Sequence, residues 1–400
     1  MIRRESGTIP PNTTFRMPAE WEPHEATWLS WPHELTDWPG KFSPIPWAFA
    51  EIVRHLAAVE RVFLIVEDQV SENRAKAVLD KAGAPIDALT FFHVPTDRGW
   101  MRDSGPIAVV VPKEESGAGV PSQPGKFSME NVAPADGNGT LPLAPLALDA
   151  QNDSAPPSGV LLHFEFNGWA KYDDHKKDAR VVALANRKLR RPLLVPEHKK
   201  RRVVLEGGAI DVNGRGTMLT TEECLLSRVQ SRNPGYTKYD YAQVFKKYLG
   251  VTNVLWLHNG IAGDDTHGHI DDLARFVDEK TVVTVVENDP TEVNYQSLEE
   301  NLALLREMKD QDGQPLRVER LPMPRPVYFA GQRLPASYAN FYVANGIVLV
   351  PTFNDPADRV ALNTLASVFP GREIIPIYCR DLVLGLGTIH CMTQQLPRMA

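Results

Sequence analysis

The sequence predicts an α/β protein in which five helix–strand–hairpin units close into a ring with pseudo-fivefold symmetry. The first observation is a recurring order of elements: an amphipathic helix, a short apolar strand, and a paired strand region that opens with a polar cluster. The second is that these clusters hold equivalent places in their units: WMRD (100–103), LEGG (205–208), HGHID (267–271), SYANFY (337–342) and GTIHC (387–391). Alternating helices and strands alone would also fit an open sheet. The clusters favour the ring, because equivalent positions in a ring face one axis.

The elements of the first two units follow in order along the chain. In the first unit we expect a helix at 71–83, a strand at 88–95, and a polar cluster leading into a strand at 100–111. In the second unit we expect a helix at 173–189, strand-like residues at 201–212 and a strand at 216–221. Asn213 and Gly214 lie between the last two segments, and Asn-Gly is the preferred dipeptide of a two-residue hairpin turn.

The remaining three units repeat this order. The predicted helices are 239–250, 293–308 and 359–369, and the strands that follow them are 253–258, 316–324 and 372–378. The polar clusters then open the paired regions 267–287, 337–353 and 385–395, the second of which contains another Asn-Gly turn at Asn345 and Gly346.

We interpret residues 1–400 as a single domain with one insertion. Residues 113–158 are rich in Pro, Gly, Ser, Asn and Asp and show little periodicity. Such segments are usually tolerated at the surface, so we expect an inserted surface excursion that is partly disordered. A lid over a functional site is the alternative for this segment.

Composition limits the classes of partner. The 400 residues are 43% hydrophobic and 23% charged, as in ordinary soluble proteins, and the formal net charge is −7. This charge argues against nucleic acid or an anionic membrane as partner and suits a small cationic molecule. The N-terminal residues lack the apolar segment of a signal peptide, and no apolar run is long enough to cross a bilayer. The three cysteines lie far apart without a CxxC motif, which favours a cytoplasmic location over disulfides or a zinc site.

Three acidic residues indicate a site for a cation. Asp103, Glu206 and Asp271 lie at the edges of strongly apolar segments, where a carboxylate is costly unless it is paired. Two opposed carboxylates match the fixed donor geometry of a planar guanidinium. Taken singly, Asp103 could cap a turn and Glu206 could belong to a β-bulge.

Two further residues could perform chemistry on such a cation. His269 and Asp271 stand at i and i+2, so on a strand they would project to the same face. Cys391 follows Gly385, Gly387 and His390, and the glycines would allow a substrate to approach the backbone closely. Singly, His269 could be a core histidine and Cys391 a small buried hydrophobe. His267 and His269 also resemble metal ligands, but no matching third or fourth ligand is evident.

The motifs together resemble a known family. The clusters above, extended to WMRDSGP, LEGGAIDVNGRGT, THGHIDDLARF and GTIHCMTQQ and joined by the N-terminal EWEPHEATWLSWP, are similar to the agmatine deiminase branch of the bacterial-type peptidylarginine deiminase family. The matches run in the family's order from Glu20 to Gln395. The resemblance implies the pentein fold, a five-bladed α/β propeller, with no metal and no organic cofactor.

The resemblance also implies roles for individual residues. It assigns Cys391 as the nucleophile and His269 as the general acid and base of a guanidine hydrolase. Asp103 and Asp271 would clamp the substrate guanidinium, Glu206 would complete the acidic cluster, and Trp100 would line the pocket. The expected reaction converts agmatine to N-carbamoylputrescine and ammonia through a covalent thiouronium intermediate, within polyamine biosynthesis. A homo-oligomer stays open as the assembly state.

The chain departs from the family's pattern at two positions. Leu386 stands where three consecutive glycines are usual, and Asp211 stands where a histidine is common. Leu386 could reshape the loop that carries Cys391, but we expect it to pack beneath that loop.

Several alternatives stay open at this point. The same chemistry could act on arginine or peptidyl-arginine, and an amine in place of water would make the protein an amidinotransferase. A non-catalytic binding protein on the same propeller would not need the cysteine, histidine and aspartates that are present here. A thiol protease would leave the carboxylates unexplained.

Overall fold

The structure is a computed structural model that describes residue 9, residues 13–112 and residues 158–399. The predicted insertion, residues 113–158, lies outside the described residues except for Ser158. The prediction that residues 1–400 form a single domain stays a prediction.

Five separate sheets account for most of the strands in the described residues. Each has a central strand with an antiparallel partner on one side and a parallel partner on the other. In spatial order the first sheet contains Gln394–Pro397, His24–Ser30, Arg61–Val66 and Leu89–His93; the second Ile107–Val110, Gly159–Leu162 and Leu193–Leu194; the third Asp211–Val212, Thr217–Thr221 and Asn253–Leu257; the fourth Ala274–Phe276, Thr281–Val286 and Arg317–Pro322; the fifth Tyr342–Ala344, Ile347–Thr352 and Glu373–Tyr378. The recurring unit predicted from the sequence is therefore present as a recurring sheet.

Two short hairpins complete the β structure of the described residues. They pair Glu197–His198 with Arg201–Arg202, and Val327–Phe329 with Gln332–Leu334.

Helices connect the strands of each unit. The α-helices of the described residues are Ile45–Ala57, Gln69–Lys81, Met101–Ser104, Val181–Leu189, Glu222–Leu226, Lys238–Leu249, Tyr295–Glu307, Ala357–Val368 and Ile389–Met392. The helix Lys238–Leu249 shows why these residues form a helix. Thr237 and Asp240 form a reciprocal capping box at its start, and Gly250 ends it in the left-handed conformation at φ 71°. None of the helices in the described part of the chain combines the length and apolar character that a bilayer crossing requires.

Both Asn-Gly pairs lie in turns, as predicted, but only the second is a two-residue hairpin, because five residues separate the paired strand ends at the first. Val212 pairs antiparallel with Met218 across the first turn, and Ala344 pairs with Ile347 across the second. The glycines adopt φ angles of 71° and 78°, which cost an L-residue with a Cβ much more than they cost glycine.

Two predicted elements differ from the structure. Residues 173–177 are not helical, because the backbone N–H of Lys177 donates to Asp97 Oδ2 (2.8 Å), and regular α-helix begins only at Val181. Residues 201–212 do not form one strand. A 3₁₀ helix at Gly207–Ala209 interrupts them and bends the chain at the second polar cluster.

The first sheet brings the two ends of the described chain together. Its edge strand Gln394–Pro397 pairs antiparallel with His24–Ser30, next to a core packed around Trp28, Phe63 and Phe92. Fully burying side chains of this size stabilises the fold by about 1.5–3 kcal/mol each. This pairing fixes the position of the residues just before Gln394, including Cys391.

Candidate active site

The five polar clusters occupy equivalent positions in their five sheets. Each lies immediately before the strand that pairs antiparallel with the central strand of its sheet. Contacts join them: the His269 ring lies 3.9 Å from carboxylate oxygens of Asp103, Glu206 and Asp271. Asp271 Oδ2 lies 3.7 Å from Cys391 Sγ. The structure therefore brings together the residues that the sequence analysis selected from separate units.

The backbone at His269 differs from the prediction. His269 and Asp271 do not lie on a strand, because His269 precedes a 3₁₀ helix at Ile270–Asp272. The Asp264 carboxylate accepts hydrogen bonds from the N–H groups of Gly268 (2.8 Å) and His269 (3.0 Å), and Gly268 has φ 89°. This turn replaces the strand pairing that would otherwise satisfy these donors.

The His269 ring is fully enclosed and surrounded by acids. Burial alone would lower the pKa of His269, but Asp103, Cys224 and Glu206 outweigh burial and raise that pKa well above its usual value. Among the described residues, neither ring nitrogen has a hydrogen-bond partner within bonding geometry. Both nitrogens are thus free to exchange protons with a molecule bound between the carboxylates.

Asp103 is oriented by two donors. Its Oδ2 accepts from Trp169 Nε1 (2.9 Å) and its Oδ1 from the backbone N–H of Gly208 (3.1 Å). Burial raises the pKa of Asp103 to about 6; His269 opposes this rise, and the nearby acids Asp271 and Glu206 add to it.

Gly208 is required by the closeness of these groups. A Cβ at this position would lie 2.5 Å from His269 Nδ1 and 3.0 Å from Asp103 Oδ1. The glycine pair after Glu206 therefore makes room for the site, which explains the LEGG cluster better than an incidental bulge does.

Glu206 forms a fully buried ion pair with Arg232. Arg232 Nε lies 3.0 Å from Oε1 and 3.3 Å from Oε2, and both side chains are completely inaccessible to solvent. Burial by itself would raise the pKa of Glu206, but the Arg232 charge outweighs burial and lowers that pKa to about 2. Glu206 is consequently a fixed negative charge beside His269.

Asp271 has one engaged oxygen and one free oxygen. Its Oδ2 accepts a hydrogen bond from His390 Nδ1 (2.7 Å), whereas its Oδ1 has no partner among the described residues. Burial tends to raise the pKa of Asp271, but the His390 contact outweighs it and the pKa is lowered. A buried carboxylate oxygen without a donor is costly, and this one lies 3.9 Å from His269 Nδ1.

Cys391 is positioned by Asn340 from another unit. Asn340 Nδ2 donates to Cys391 Sγ (3.1 Å), and Asn340 Oδ1 accepts from Thr388 Oγ1 (2.7 Å) and from the backbone N–H of His390 (3.0 Å). Asn340 thereby anchors the N-terminal end of the short helix Ile389–Met392.

The environment of Cys391 favours the protonated thiol over the thiolate. Burial raises the pKa of Cys391 well above its usual value, and the carboxylates of Asp271, Asp272 and Asp103 raise it further. A bound cation would reverse this effect, because a nearby positive charge favours the thiolate.

Trp100 lies beside the nucleophile loop. A Cβ on Gly387 would lie 2.9 Å from both Trp100 Cζ3 and Cys391 Cβ, so the ring and the cysteine flank that glycine closely. Trp100 Nε1 donates to Asp37 Oδ2 (3.1 Å), which fixes the indole plane. The ring is positioned to line the space next to Cys391.

The two departures from the family pattern have structural partners. Leu386 adopts a left-handed φ of 67° and packs, half-buried, against the largest hydrophobic core. Asp211 accepts hydrogen bonds from Arg275 Nε (2.8 Å) and from the backbone N–H of Phe276 (2.6 Å).

Sequence reasoning missed several residues of the site. Asn340 and His390 belong to clusters that the sequence analysis singled out, and Glu20 belongs to the N-terminal motif, so their polar character within apolar surroundings was an available signal. Trp169 and Arg232 lie in irregular segments, and no pattern around them pointed to the site.

Two groups of side chains in the described residues have the character of metal ligands: Glu206, Cys224 and His269, and Asp271, Asp272 and Cys391, each within 4.8 Å. In both groups a carboxylate is already occupied. Arg232 binds Glu206, and His390 binds Asp271. These contacts leave fewer free carboxylate oxygens in each group for a metal ion. His267 is in neither group.

Comparison with known proteins identifies the family. Residues 16–397 match the family model of the Porphyromonas-type peptidyl-arginine deiminases, and the chain belongs to this family. The agmatine deiminase of Pseudomonas aeruginosa (strain LESB58) is 31% identical over 96% of this chain and 95% of its own length.

Solved structures give the same result. The Enterococcus faecalis agmatine deiminase is 26% identical with a TM-score of 0.79, over 98% of this chain and 100% of its own. A C. jejuni agmatine deiminase with a cysteine-to-serine substitution, solved with substrate bound, is 26% identical with a TM-score of 0.76, over 98% and 99% of the two chains. The mixed α/β fold of this chain is therefore that of the agmatine deiminase structures.

Proposed function

We propose that this protein is an agmatine deiminase, which hydrolyses agmatine to N-carbamoylputrescine and ammonia with Cys391 as nucleophile. One observation carries the proposal: a thiol, a histidine with two free ring nitrogens and a carboxylate with one free oxygen are enclosed together. The free atoms are His269 Nδ1 and Nε2 and Asp271 Oδ1. Buried polar atoms without partners are rare, and here they line the space beside Cys391.

A guanidinium supplies the hydrogen-bond donor that Asp271 Oδ1 lacks. It is planar and cationic, and its N–H donors point outward in a fixed fork that suits opposed carboxylates. Asp103 and Asp271 supply two such carboxylates, and the Oδ1 atom of each lies 3.9 Å from His269 Nδ1. Trp169 and Gly208 orient the first carboxylate and His390 the second, so the clamp is formed before substrate binds.

The charges around the site favour agmatine over free arginine. An enzyme for free arginine needs a cation for the α-carboxylate. The three most deeply buried arginines near the site already have carboxylate partners: Arg102 binds Glu20, Arg232 binds Glu206, and Arg275 binds both Glu20 and Asp211. Agmatine lacks the α-carboxylate, so its binding does not require this additional cation.

The relatives support the same substrate. The P. aeruginosa, E. faecalis and C. jejuni proteins are named for agmatine. The C. jejuni structure with substrate has a serine in place of a cysteine, as expected for a variant that retains substrate when a cysteine is removed.

In the first half-reaction the Cys391 thiolate attacks the guanidinium carbon. Asp103 and Asp271 hold the carbon in place, and the substrate's positive charge lowers the pKa of the thiol. Sγ therefore releases its proton to solvent water, and this proton ends on the departing ammonia as ammonium. His269 then protonates one nitrogen, the C–N bond breaks, and ammonia departs. The carbon is left bonded to sulfur in a thiouronium adduct.

In the second half-reaction water replaces sulfur. His269, having given up its proton, takes one from water as the oxygen attacks the same carbon. Collapse of the tetrahedral adduct breaks the C–S bond, and the proton of its hydroxyl group passes to sulfur as the ureido C=O forms. This restores the thiol, and the ureido product leaves. In sum, agmatine and water give N-carbamoylputrescine and ammonia. Glu206 stays ionised throughout, because Arg232 holds its pKa at about 2, and so it stabilises the charged His269 and carries no proton.

The proposal includes the arrangement of the five sheets as the blades of a closed α/β propeller. Support comes from the matching strand pattern of the sheets, the pairing of Gln394–Pro397 with His24–Ser30, and the meeting of all five clusters. Equivalent positions meet at one place when the units surround a common axis.

Ammonia release from agmatine, arginine and a blocked arginine peptide tests the proposal. We expect turnover of agmatine with kcat/KM at least about 100-fold above that of free arginine, since the unmet α-carboxylate of arginine costs binding energy. We also expect agmatine to be preferred over the blocked peptide. The control is Cys391→Ser, which should release no ammonia above background. Preference for arginine or the peptide would overturn the substrate, and normal turnover by Cys391→Ser would overturn the nucleophile.

A further inference from the structure

His390, the neighbour of the nucleophile, bridges two buried carboxylates. Its Nδ1 lies 2.7 Å from Asp271 Oδ2, and its Nε2 lies 2.8 Å from Glu20 Oε2. The exposed fractions of the three side chains are 2%, 0% and 6% in the order His390, Asp271, Glu20. Both hydrogen bonds form only when two protons are shared among these three groups. The pKa values of Glu20 and Asp271 are both lowered despite their burial, so both carboxylates act as acceptors in this bridge.

The far end of this bridge is firmly held. Glu20 Oε1 accepts from Arg275 Nη2 (3.0 Å) and from the backbone N–H of Val343 (2.9 Å), and its Oε2 lies 3.3 Å from Arg102 Nη2. These partners come from three different units of the chain. Glu20 is therefore a fixed anchor, and a ring bonded to it cannot turn freely.

The near end of the bridge controls the part of Asp271 that faces the site. His390 engages Oδ2, which leaves Oδ1 without a partner and 3.9 Å from His269 Nδ1. If Oδ2 were released, rotation about the Cβ–Cγ bond would exchange the two oxygens and allow Oδ1 to turn toward other donors. The single contact to His390 thus selects which oxygen points at the substrate.

We propose that His390 is a positioning residue, which fixes the Asp271 carboxylate in its clamping orientation by tying it to the Glu20 anchor. This rests on the proposed function, because it assigns Asp271 to the guanidinium clamp. His390 itself does not touch the reacting atoms. The proposal gives a role to the histidine of the GTIHC cluster and to the acid of the N-terminal EWEPHE motif, which the catalytic mechanism does not use.

Two isosteric substitutions test the proposal. Asn carries its amide nitrogen at the same number of bonds from Cα as His Nδ1, and Gln carries it at the position of Nε2. His390→Asn should therefore keep the bond to Asp271 and lose the one to Glu20, whereas His390→Gln should do the reverse. We expect kcat/KM to fall by about 10-fold or less in His390→Asn and by about 100-fold in His390→Gln, the range typical of lost supporting contacts.

Separate values of kcat and KM distinguish a misplaced Asp271 carboxylate from incomplete folding of the variant. A variant that is only partly folded has a lower kcat per total protein and an unchanged KM, because the folded fraction is normal. A misplaced clamp weakens substrate binding, so KM should rise in His390→Gln while thermal unfolding shows both variants folded. Equal kcat/KM in the two variants, or a loss in kcat alone, would overturn the proposal.

Crystal structures of the two variants without substrate give a readout that does not depend on turnover. We expect the Asp271 side chain unchanged in His390→Asn and rotated in His390→Gln. An unrotated Asp271 in His390→Gln would overturn the proposal even if the protein hydrolysed a different substrate. Failure of the proposed function would appear separately, as absence of agmatine turnover in the unaltered protein.

Discussion

Replacement of Arg232 by methionine would leave the Glu206 carboxylate buried without its counter-charge. In the intact protein Arg232 lowers the pKa of Glu206 from its ordinary 4.5 to about 2, against the effect of burial. That difference is worth about 3 kcal/mol of folding stability at neutral pH, at about 1.4 kcal/mol per pH unit. Arg232 also donates to the carbonyl oxygens of Gln230 (3.0 Å) and Thr266 (2.5 Å), which would lose a donor as well. We therefore expect Arg232→Met to lose about 3–5 kcal/mol.

The pH dependence of this loss follows from the direction of the pKa change. With Arg232 present, the pKa of Glu206 is lower in the folded chain than in the unfolded chain, so its stabilisation is present above pH 4.5 and is lost as the pH falls toward 2. Without Arg232, only His269 still opposes burial, which is the largest effect on this group, so we expect the pKa of Glu206 to rise above its ordinary value. The ionised carboxylate then destabilises the variant at neutral pH, and acidification relieves that cost by protonating it. The stability gap between the two proteins should narrow as the pH falls.

Urea unfolding at neutral and mildly acidic pH measures both effects. Urea is preferable to guanidinium chloride, since guanidinium resembles the proposed ligand. The matched control is the double variant Arg232→Met with Glu206→Gln, in which no buried charge is left and about 2 kcal/mol or more of the loss should be recovered. If Arg232→Met unfolds within about 0.5 kcal/mol of the unaltered protein, or if the double variant is no more stable than the single one, the reasoning is refuted.

Three further outcomes are expected at the site. The kcat/KM for agmatine should fall about tenfold per pH unit below about pH 6, because the clamp residue Asp103 has its pKa near 6 in the free enzyme, and an acid limb near pH 4 would contradict this. Asp271→Asn should lose turnover yet react roughly tenfold faster with iodoacetamide at Cys391, since the Asp271 charge raises the thiol pKa; slower labelling would contradict this. Gly208→Ala should lower kcat/KM by about 100-fold with little change in unfolding, because its Cβ would displace the His269 ring, and a fully active variant would contradict this.

The sequence predicted the repeating architecture and the meeting of distant residues. Periodic apolar segments and Asn-Gly turns are local signals, and they located the five helices that begin at Gln69, Val181, Lys238, Tyr295 and Ala357. The helix Ile45–Ala57 and the strands His24–Ser30 and Arg61–Val66 were not predicted. The equivalent placement of the five clusters then predicted that Asp103, Glu206, His269, Asp271 and Cys391 would lie together, which their contacts confirm.

What the sequence could not predict depends on long-range contacts and on local turn chemistry. Arg232 pairs with Glu206 across 26 positions, and His390 pairs with Glu20 across 370, so no periodicity connects the partners. The strand expected at His269 is a 3₁₀ turn, because Asp264 supplies the acceptor that a strand partner would otherwise provide. Alternation of polar and apolar residues does not distinguish these two ways of satisfying the same backbone donors.

The central claim is that Cys391 forms a covalent bond to the guanidino carbon of agmatine. Acid quenching of the enzyme during turnover, followed by intact mass measurement and peptide mapping, tests it directly. We expect a mass gain equal to agmatine minus ammonia, located on the peptide that contains Cys391 and absent in Cys391→Ser. Steady turnover of agmatine with no adduct on any quenched sample, or with an adduct on Cys224 in place of Cys391, would contradict the account.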